Sequence, residues 1–285
     1  MSTPFSPAIG IIQQAVPQFL RPVSFRLVQT ASEFKDAMRL VYREYLKRGY
    51  VHPHPSELKL SIYNAFTTTK TFVGIHPRRG IIATISLVQD SPCGVPMDEI
   101  YKTELDGLRR RRLRLAEVLM LSTDSRMFEQ RAFTLFNPKK LLLTLRLFKV
   151  LFDYVRTCTD LDEIVACFNP RHQSLYDLLH MQPLGRLKSY SSANGNPAIA
   201  RHINVRETEK RVSTSPMAQF FYGKPPSPKR FGQPLTFSEQ DFEEFFIRAS
   251  SVFASASPSE LAHVQACYPG YRWGRLLAQS ACVHA

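Results

Sequence analysis

Glu117 is the residue that most needs a chemical explanation. The run from Leu113 to Leu121 carries Leu113, Leu115, Val118, Leu119 and Leu121 with few breaks, which reads as a buried strand, and Glu117 is its one acid. A carboxylate buried as a charge is costly. It must be paired, hold its proton to a raised pKa, or face a water-filled cleft. Two readings follow. In one, Glu117 forms a structural ion pair with an arginine of the flanking run Arg109, Arg110, Arg111 and Arg112. In the other it is a general base at the mouth of a cleft, with that run as a basic rim.

The elements that must hold this strand follow from periodicity. Val23 to Gln29 alternates as a first strand. Thr30 or Ser32 caps a helix to about Arg48, with Phe34, Met38, Val41 and Tyr45 as its inner stripe and Gly49 as its stop. A second helix is expected after Pro55 and Ser56, packing Leu58, Leu60, Ile62, Tyr63 and Phe66. Two strands, Lys70 to Ile75 and Ile81 to Val88, flank the turn HPRRG. Ser91 to Arg112 reads as a polar connection. After the Glu117 strand, Asn137 and Pro138 start a long helix to about Thr157. A strand from Asp162 to Phe168, a helix from His172 to Met181, and a hairpin of Leu187 to Tyr190 with Ala198 to Val205 complete the order.

This order predicts an α/β (α+β) chain: an antiparallel meander, a β-α-β crossover and a final hairpin, forming a mixed sheet with helices on both faces. Residues 1–21 read as a flexible arm, 22–205 as the main domain, and 206–285 as a proline-rich linker with a helical extension. In that extension Ser238 and Asp241 form a capping box ahead of Phe242, Phe245 and Phe246, a stripe that reads as docked on the main domain.

The 285 residues carry a net charge of +13, which favours a polyanionic partner: nucleic acid, anionic lipid or an acidic carrier protein. No nucleic-acid-binding signature appears, and the aromatics are not interleaved with the basic runs. The five cysteines include no CxxC and no Cys/His pair at metal-ligand spacing, so no metal site is expected and a reducing cytoplasm is the default compartment. The opening MSTPFSPAIGIIQQAVPQFL lacks the basic start and long apolar core of a secretory signal.

Three stretches resemble the GNAT superfamily of acyltransferases, in particular bacterial N-acyl amino acid synthases and autoinducer synthases that draw acyl chains from acyl carrier protein. RLVYREYLKRGYV is similar to the family's first helix, where an arginine and aromatics line the acyl-donor cleft. PMDEIYKTELDGLRRRRLRLAEVLMLSTD resembles the approach to its central strand, with Glu117 at the place of the family's acid. NPRHQSLYDLLHMQPLG resembles the segment in which an asparagine ends strand five and a tyrosine lies on the next helix. The likeness covers about residues 23–205. It implies a three-layer fold around a splayed sheet. One departure matters: SRMFEQRAFTLFNPKK, where many acetyl-CoA-dependent members hold a glycine-rich pyrophosphate loop, has no glycine. Phosphopantetheine on a carrier has a single phosphate, so a carrier-bound donor fits this stretch better than acyl-CoA. After the strand acid, autoinducer synthases usually have Ser-Arg; here Leu119-Met120 follows Val118, which favours an amino-acid acceptor over homoserine-lactone chemistry.

The implied reaction moves a long acyl chain from acyl carrier protein to the amine of an amino acid, with no tightly bound cofactor. A membrane surface near the lipid product is a further implied neighbour. Glu117 takes the amine proton. A backbone N–H between Val118 and Leu121, with Leu119 among the candidates, faces the thioester oxygen. Tyr176 protonates the leaving thiolate or packs as a core tyrosine, and Asn169 binds the pantetheine arm, caps the following helix, or does both. Phe72, Phe148, Phe152 and Leu141 to Leu143 are candidates for the acyl-chain lining. Arg39 and Arg43, four apart on one helix face, reach the acceptor carboxylate or remain exposed. Arg109 to Arg112 with Lys139 and Lys140 dock the acidic carrier or form a solvated face. An autoinducer-type (acyl-homoserine lactone-like) synthase, a basic nucleic-acid binder and a non-catalytic scaffold of the same fold are the alternatives.

Overall fold

In the computed structural model, residues 20–128, 137–211 and 220–283 are described. Most of the expected N-terminal arm and part of the glycine-free stretch lie outside them. Eight strands form the sheet: β1 (Ser24–Leu27), β2 (Lys70–His76), β3 (Gly80–Gln89), β4 (Leu115–Thr123), β5 (Glu163–Phe168), β6 (Gln182–Pro183), β7 (Lys188–Tyr190) and β8 (Asn196–Asn204). Their order is β1-β2-β3-β4-β5-β8-β6, with β7 against β8. β1 to β4 is an antiparallel meander. β4 and β5 are parallel, as a β-α-β crossover requires, and β8 returns antiparallel to β5.

Alternation along the strands divides the core. Ala116 and Val118 join the cluster beneath α3 (Pro138–Cys158), whose Leu143, Leu147, Phe148 and Leu151 are fully buried. Leu115 and Leu119 face the other way, toward α1 (Ala31–Leu46) and α2 (Asp98–Arg110), and Glu117 shares their parity. The result is three layers, with the acid on the α1/α2 side. Asn137 caps α3 by accepting the Lys139 and Lys140 N–H groups, with Pro138 in its first turn.

Two segments differ from the sequence reading. No α-helix follows Pro55 and Ser56; residues up to Ser61 run irregularly, and only a single 3₁₀ turn, Ile62–Ala65, forms. Leu58 and Leu60 are both buried, a period of two that belongs to extended chain, and Glu57 has φ 53°, which no helix accommodates. Ser91 to Arg112 is more than a polar connection, because it contains α2. Its apolar stripe of Tyr101, Leu105 and Leu108 is at helical spacing, hidden among charged neighbours.

Beyond the short helix α4 (Gln173–Leu178) and α5 (Val205–Arg211), the C-terminal extension folds back on α1. It comprises α6 (Glu239–Phe242) continuing into a π turn at Glu243–Arg248, then α7 (Pro258–Cys267) and α8 (Trp273–Val283). Phe242, Phe245 and Phe246 are buried, and Phe34 of α1 meets Phe237 and Phe245 edge-on at 4.9 and 5.3 Å. The phenylalanine stripe is therefore core, as expected. Phe246→Ala should lower unfolding free energy by about 3–5 kcal/mol in urea titration, whereas a detached extension would show almost no loss.

Candidate active site

β4 pairs with β5 only from Leu115↔Glu163 to Val118↔Ala166, then continues to Thr123 without it. The cause lies in β4 itself. Thr84 of β3 pairs with Ser122 but Ser86 pairs with Leu119, so β4 carries one extra residue, and Met120 has φ 54°. Such a bulge bends a strand and sharpens its twist. Holding a non-glycine side chain in the left-handed region is strained, and strain of this kind gathers at functional sites. A cavity of about 600 Å³ opens where the strands part, within the range of small-molecule sites.

Glu117 lines this cavity and is only 2% exposed. Among the described residues no arginine pairs with it. Its Oε2 accepts the Met97 N–H at 2.7 Å. Burial raises its pKa to about 8; the Met97 N–H offsets part of that rise, and nearby Asp98 adds to it. The carboxyl is thus mostly protonated at neutral pH and titrates just above it, where an amine-directed base is useful.

The donor to Glu117 is fixed by α2, since Met97 is the residue that starts that helix. Asp98 accepts the Val95 N–H at 2.8 Å and receives Arg109 at 2.7 and 2.6 Å. Arg109 also grips both oxygens of Asp90 at 2.8 Å and Asp106 at 2.9 Å. Gly94, at φ 73°, lets this turn close; a Cβ there would collide with the Asp98 carboxylate.

Five tyrosines, Tyr45, Tyr50, Tyr63, Tyr176 and Tyr190, line the cavity, and burial raises the pKa of Tyr45, Tyr63, Tyr176 and Tyr190. Tyr176 stacks on Phe168 with centroids 3.5 Å apart and stays protonated at neutral pH. The Ser122 hydroxyl also lines the cavity and is buried without a hydrogen-bond partner among the described residues. A cationic group gathers at the start of α3: Lys140, Arg48 and His172 line the cavity, and Arg171 donates to the Tyr50 hydroxyl. Burial and this positive surrounding lower the His172 pKa to about 4, so it is neutral there.

Glu117, Val118, Leu119, Leu121, Asn169, Tyr176 and Lys140 thus meet around one cavity. Asn169 also caps the turn after β5, accepting the Arg171 N–H. Other expected residues are placed elsewhere. Arg39 pairs with Asp36 and Arg43 with Asp124; neither lines the cavity. Arg109 is a structural clamp, and Arg110, Arg111 and Arg112 are exposed at the opposite end of the sheet from Lys139 and Lys140. Arg114 pairs with Asp160 just past the end of α3, whereas the lysines lie in its first turn; 21 residues at ~1.5 Å each separate the groups by about 30 Å. They cannot form one rim. Phe72, Phe148 and Phe152 pack in the core beneath α3 and do not line the cavity. Sequence reasoning did not single out Met97, Cys167, Lys59 or Tyr190; only alternation around Lys59 carried a usable signal. Among the described residues, no group of His, Cys, Asp and Glu could hold a metal, and no helix is long and apolar enough to cross a membrane.

A mixed sheet parted beside a bulged strand, with helices on both faces, is a GNAT-like fold. A family model for the N-acyl amino acid synthase FeeM matches residues 36–204, more than half of the chain, and the chain belongs to that family. The solved structure of FeeM, an N-acyl amino acid synthase from uncultured soil microbes, is 27% identical, with a TM-score of 0.56 over 70% of this chain and 97% of that one. TofI, solved in a ternary complex with an inhibitor and MTA, shares the fold at 12% identity and TM-score 0.50, over 69% of this chain and 98% of its own. No curated protein matches.

The Glu117 environment makes a stability prediction with a definite sign. A carboxyl raised from 4.5 to about 8 keeps its proton in the folded state where the unfolded chain has released it. Folding stability should therefore fall as pH rises across that window. Glu117→Gln should flatten this slope and melt no lower than wild type above pH 8. A buried arginine partner predicts the reverse: a loss of about 3–5 kcal/mol in the same variant.

Proposed function

We propose that this N-acyl amino acid synthase takes its acyl chain from the phosphopantetheine thioester of an acyl carrier protein, with Glu117 as general base. The observation that carries this reading is the buried Glu117 carboxyl, with no arginine partner among the described residues, at the point where β4 leaves β5. The neutral acceptor amine attacks the thioester carbonyl carbon and gives up a proton to the ionised form of Glu117, directly or through one water. β4 has no β5 partner beyond Val118, so a backbone N–H in the stretch to Leu121 faces the oxyanion. The tetrahedral intermediate then collapses, the C–S bond breaks, and the Tyr176 hydroxyl supplies the proton to the departing thiolate.

Lys140, Arg48 and Arg171, at the first turn of α3, suit the single phosphate of the pantetheine arm, with Asn169 along the arm. The glycine-free stretch before α3 gives acyl-CoA no evident pyrophosphate loop, so acyl-CoA is the weaker donor. Five free thiols fit a reducing cytoplasm.

Glu117→Gln should lower kcat by about 10²–10⁴-fold with the fold intact, and Tyr176→Phe by less, because a leaving thiolate needs little acid assistance. Near-normal turnover in folded Glu117→Gln would remove Glu117 from the chemistry.

Lys139→Glu combined with Arg171→Glu should raise KM for an acyl carrier thioester, by an amount that shrinks as salt rises. Arg110→Glu with Arg111→Glu, at the far end of the sheet, should leave it unchanged. The opposite ranking, or equal kcat/KM for acyl-CoA and acyl carrier, would refute the donor assignment.

A further inference from the structure

We propose that Lys59 binds the carboxylate of the amino-acid acceptor and so sets the enzyme's preference for amino acids over simple amines. The assignment rests on the amino-acid reading of the acceptor given above, and it names a residue that neither the motifs nor the arginine spacing indicated.

Lys59 owes its place to the extended chain that replaces the expected second helix. Leu58 and Leu60 are buried in the α1 core, and the Lys59 N–H donates to the Met38 carbonyl at 3.3 Å, tying the segment to α1. Side chains of extended backbone alternate, so Lys59 points away from that core, and it lines the cavity. Its ammonium makes no hydrogen bond or ion pair among the described residues.

The cavity's carboxylates are already engaged. Asp98 is held by Arg109 and the Val95 N–H. Glu99 accepts from the Ser192 N–H and hydroxyl, and Glu260 closes a capping box with Ser257. Glu117 carries a proton at neutral pH. An ammonium that lines an open cavity without a partner among the described residues is placed to take an external anion.

The reaction offers two anionic groups, the pantetheine phosphate and the acceptor carboxylate, and two cavity lysines, Lys59 and Lys140, lack side-chain partners among the described residues. Lys140 stands with Arg48 and Arg171 at the helix start, where a phosphate fits. Lys59 stands apart from that group, within electrostatic reach of Glu99. Glu99, Glu117 and Lys59 line the same cavity. An amino acid bound in the cavity with its amine neutral places that amine toward Glu117 and its carboxylate on Lys59. Burial lowers the Lys59 pKa, opposed only by Glu99, and a bound carboxylate would restore its charge.

The test pairs aromatic and aliphatic amino acids with their own carboxamides, using one acyl carrier thioester and three proteins: wild type, Lys59→Met and Lys59→Arg. A charge-assisted hydrogen bond predicts that wild type prefers each accepted amino acid over its carboxamide by about 10–100-fold in kcat/KM, chiefly through KM. In Lys59→Met the ratio should collapse toward unity, and Lys59→Arg should recover part of it. Amino acid and carboxamide falling together in Lys59→Met would make Lys59 structural. A preference that survives in Lys59→Met would place the carboxylate elsewhere while leaving the amino-acid reading intact. A wild type indifferent to the carboxylate would overturn both the Lys59 assignment and that reading.

Discussion

A single backbone N–H holds the acid of this enzyme. Glu117 lies on a buried strand where an ionised carboxylate would need a strong partner, and its partner among the described residues is the Met97 N–H at 2.7 Å. An arginine in that place would keep the group ionised and drive its pKa down, leaving a poor base. One neutral donor orients the carboxyl and leaves its pKa high. The surroundings preserve this arrangement. The Arg109 clamp on Asp90, Asp98 and Asp106 fixes α2, and α2 fixes Met97. The Met120 bulge turns β4 away from β5, so the carboxyl meets a cavity instead of a neighbouring strand.

The net charge of +13 is distributed unevenly and has more than one use. Some cations are internal struts: Arg109 in α2, and Arg156, which bonds Glu209 after α3. Others surround the first turn of α3, where the helix terminus adds its own partial positive charge. Lys59 lines the cavity with no side-chain partner among the described residues. Charge that reads as a general attraction to polyanions in the composition is, in three dimensions, a set of separate local assignments.

The sheet order and the parallel crossover were legible because strand alternation, the Asn137–Pro138 start of α3 and the Glu117 strand each carry strong local signals. Glu117, Tyr176 and Asn169 were placed by resemblance, and the fold brings them to one cavity. The arginines misled for a physical reason. Their spacing on a helix or in a run says nothing about which acids the fold brings near, and Asp90, Asp98 and Asp124 are distant in sequence from at least one of their arginine partners. The second helix failed because a period-two pattern at Leu58 and Leu60 was read as helical, which also concealed Lys59. Met97 was invisible because its role belongs to its backbone N–H and not to its side chain.

The most direct measurement is the titration of the Glu117 carboxyl itself. An infrared difference spectrum, wild type minus Glu117→Gln, should show a protonated-carboxyl C=O band at pH 6 that disappears with a midpoint near 8. A band already lost by pH 5 would mean that Glu117 is an ordinary ionised carboxylate, and the account of a buried base held by one backbone N–H would be wrong.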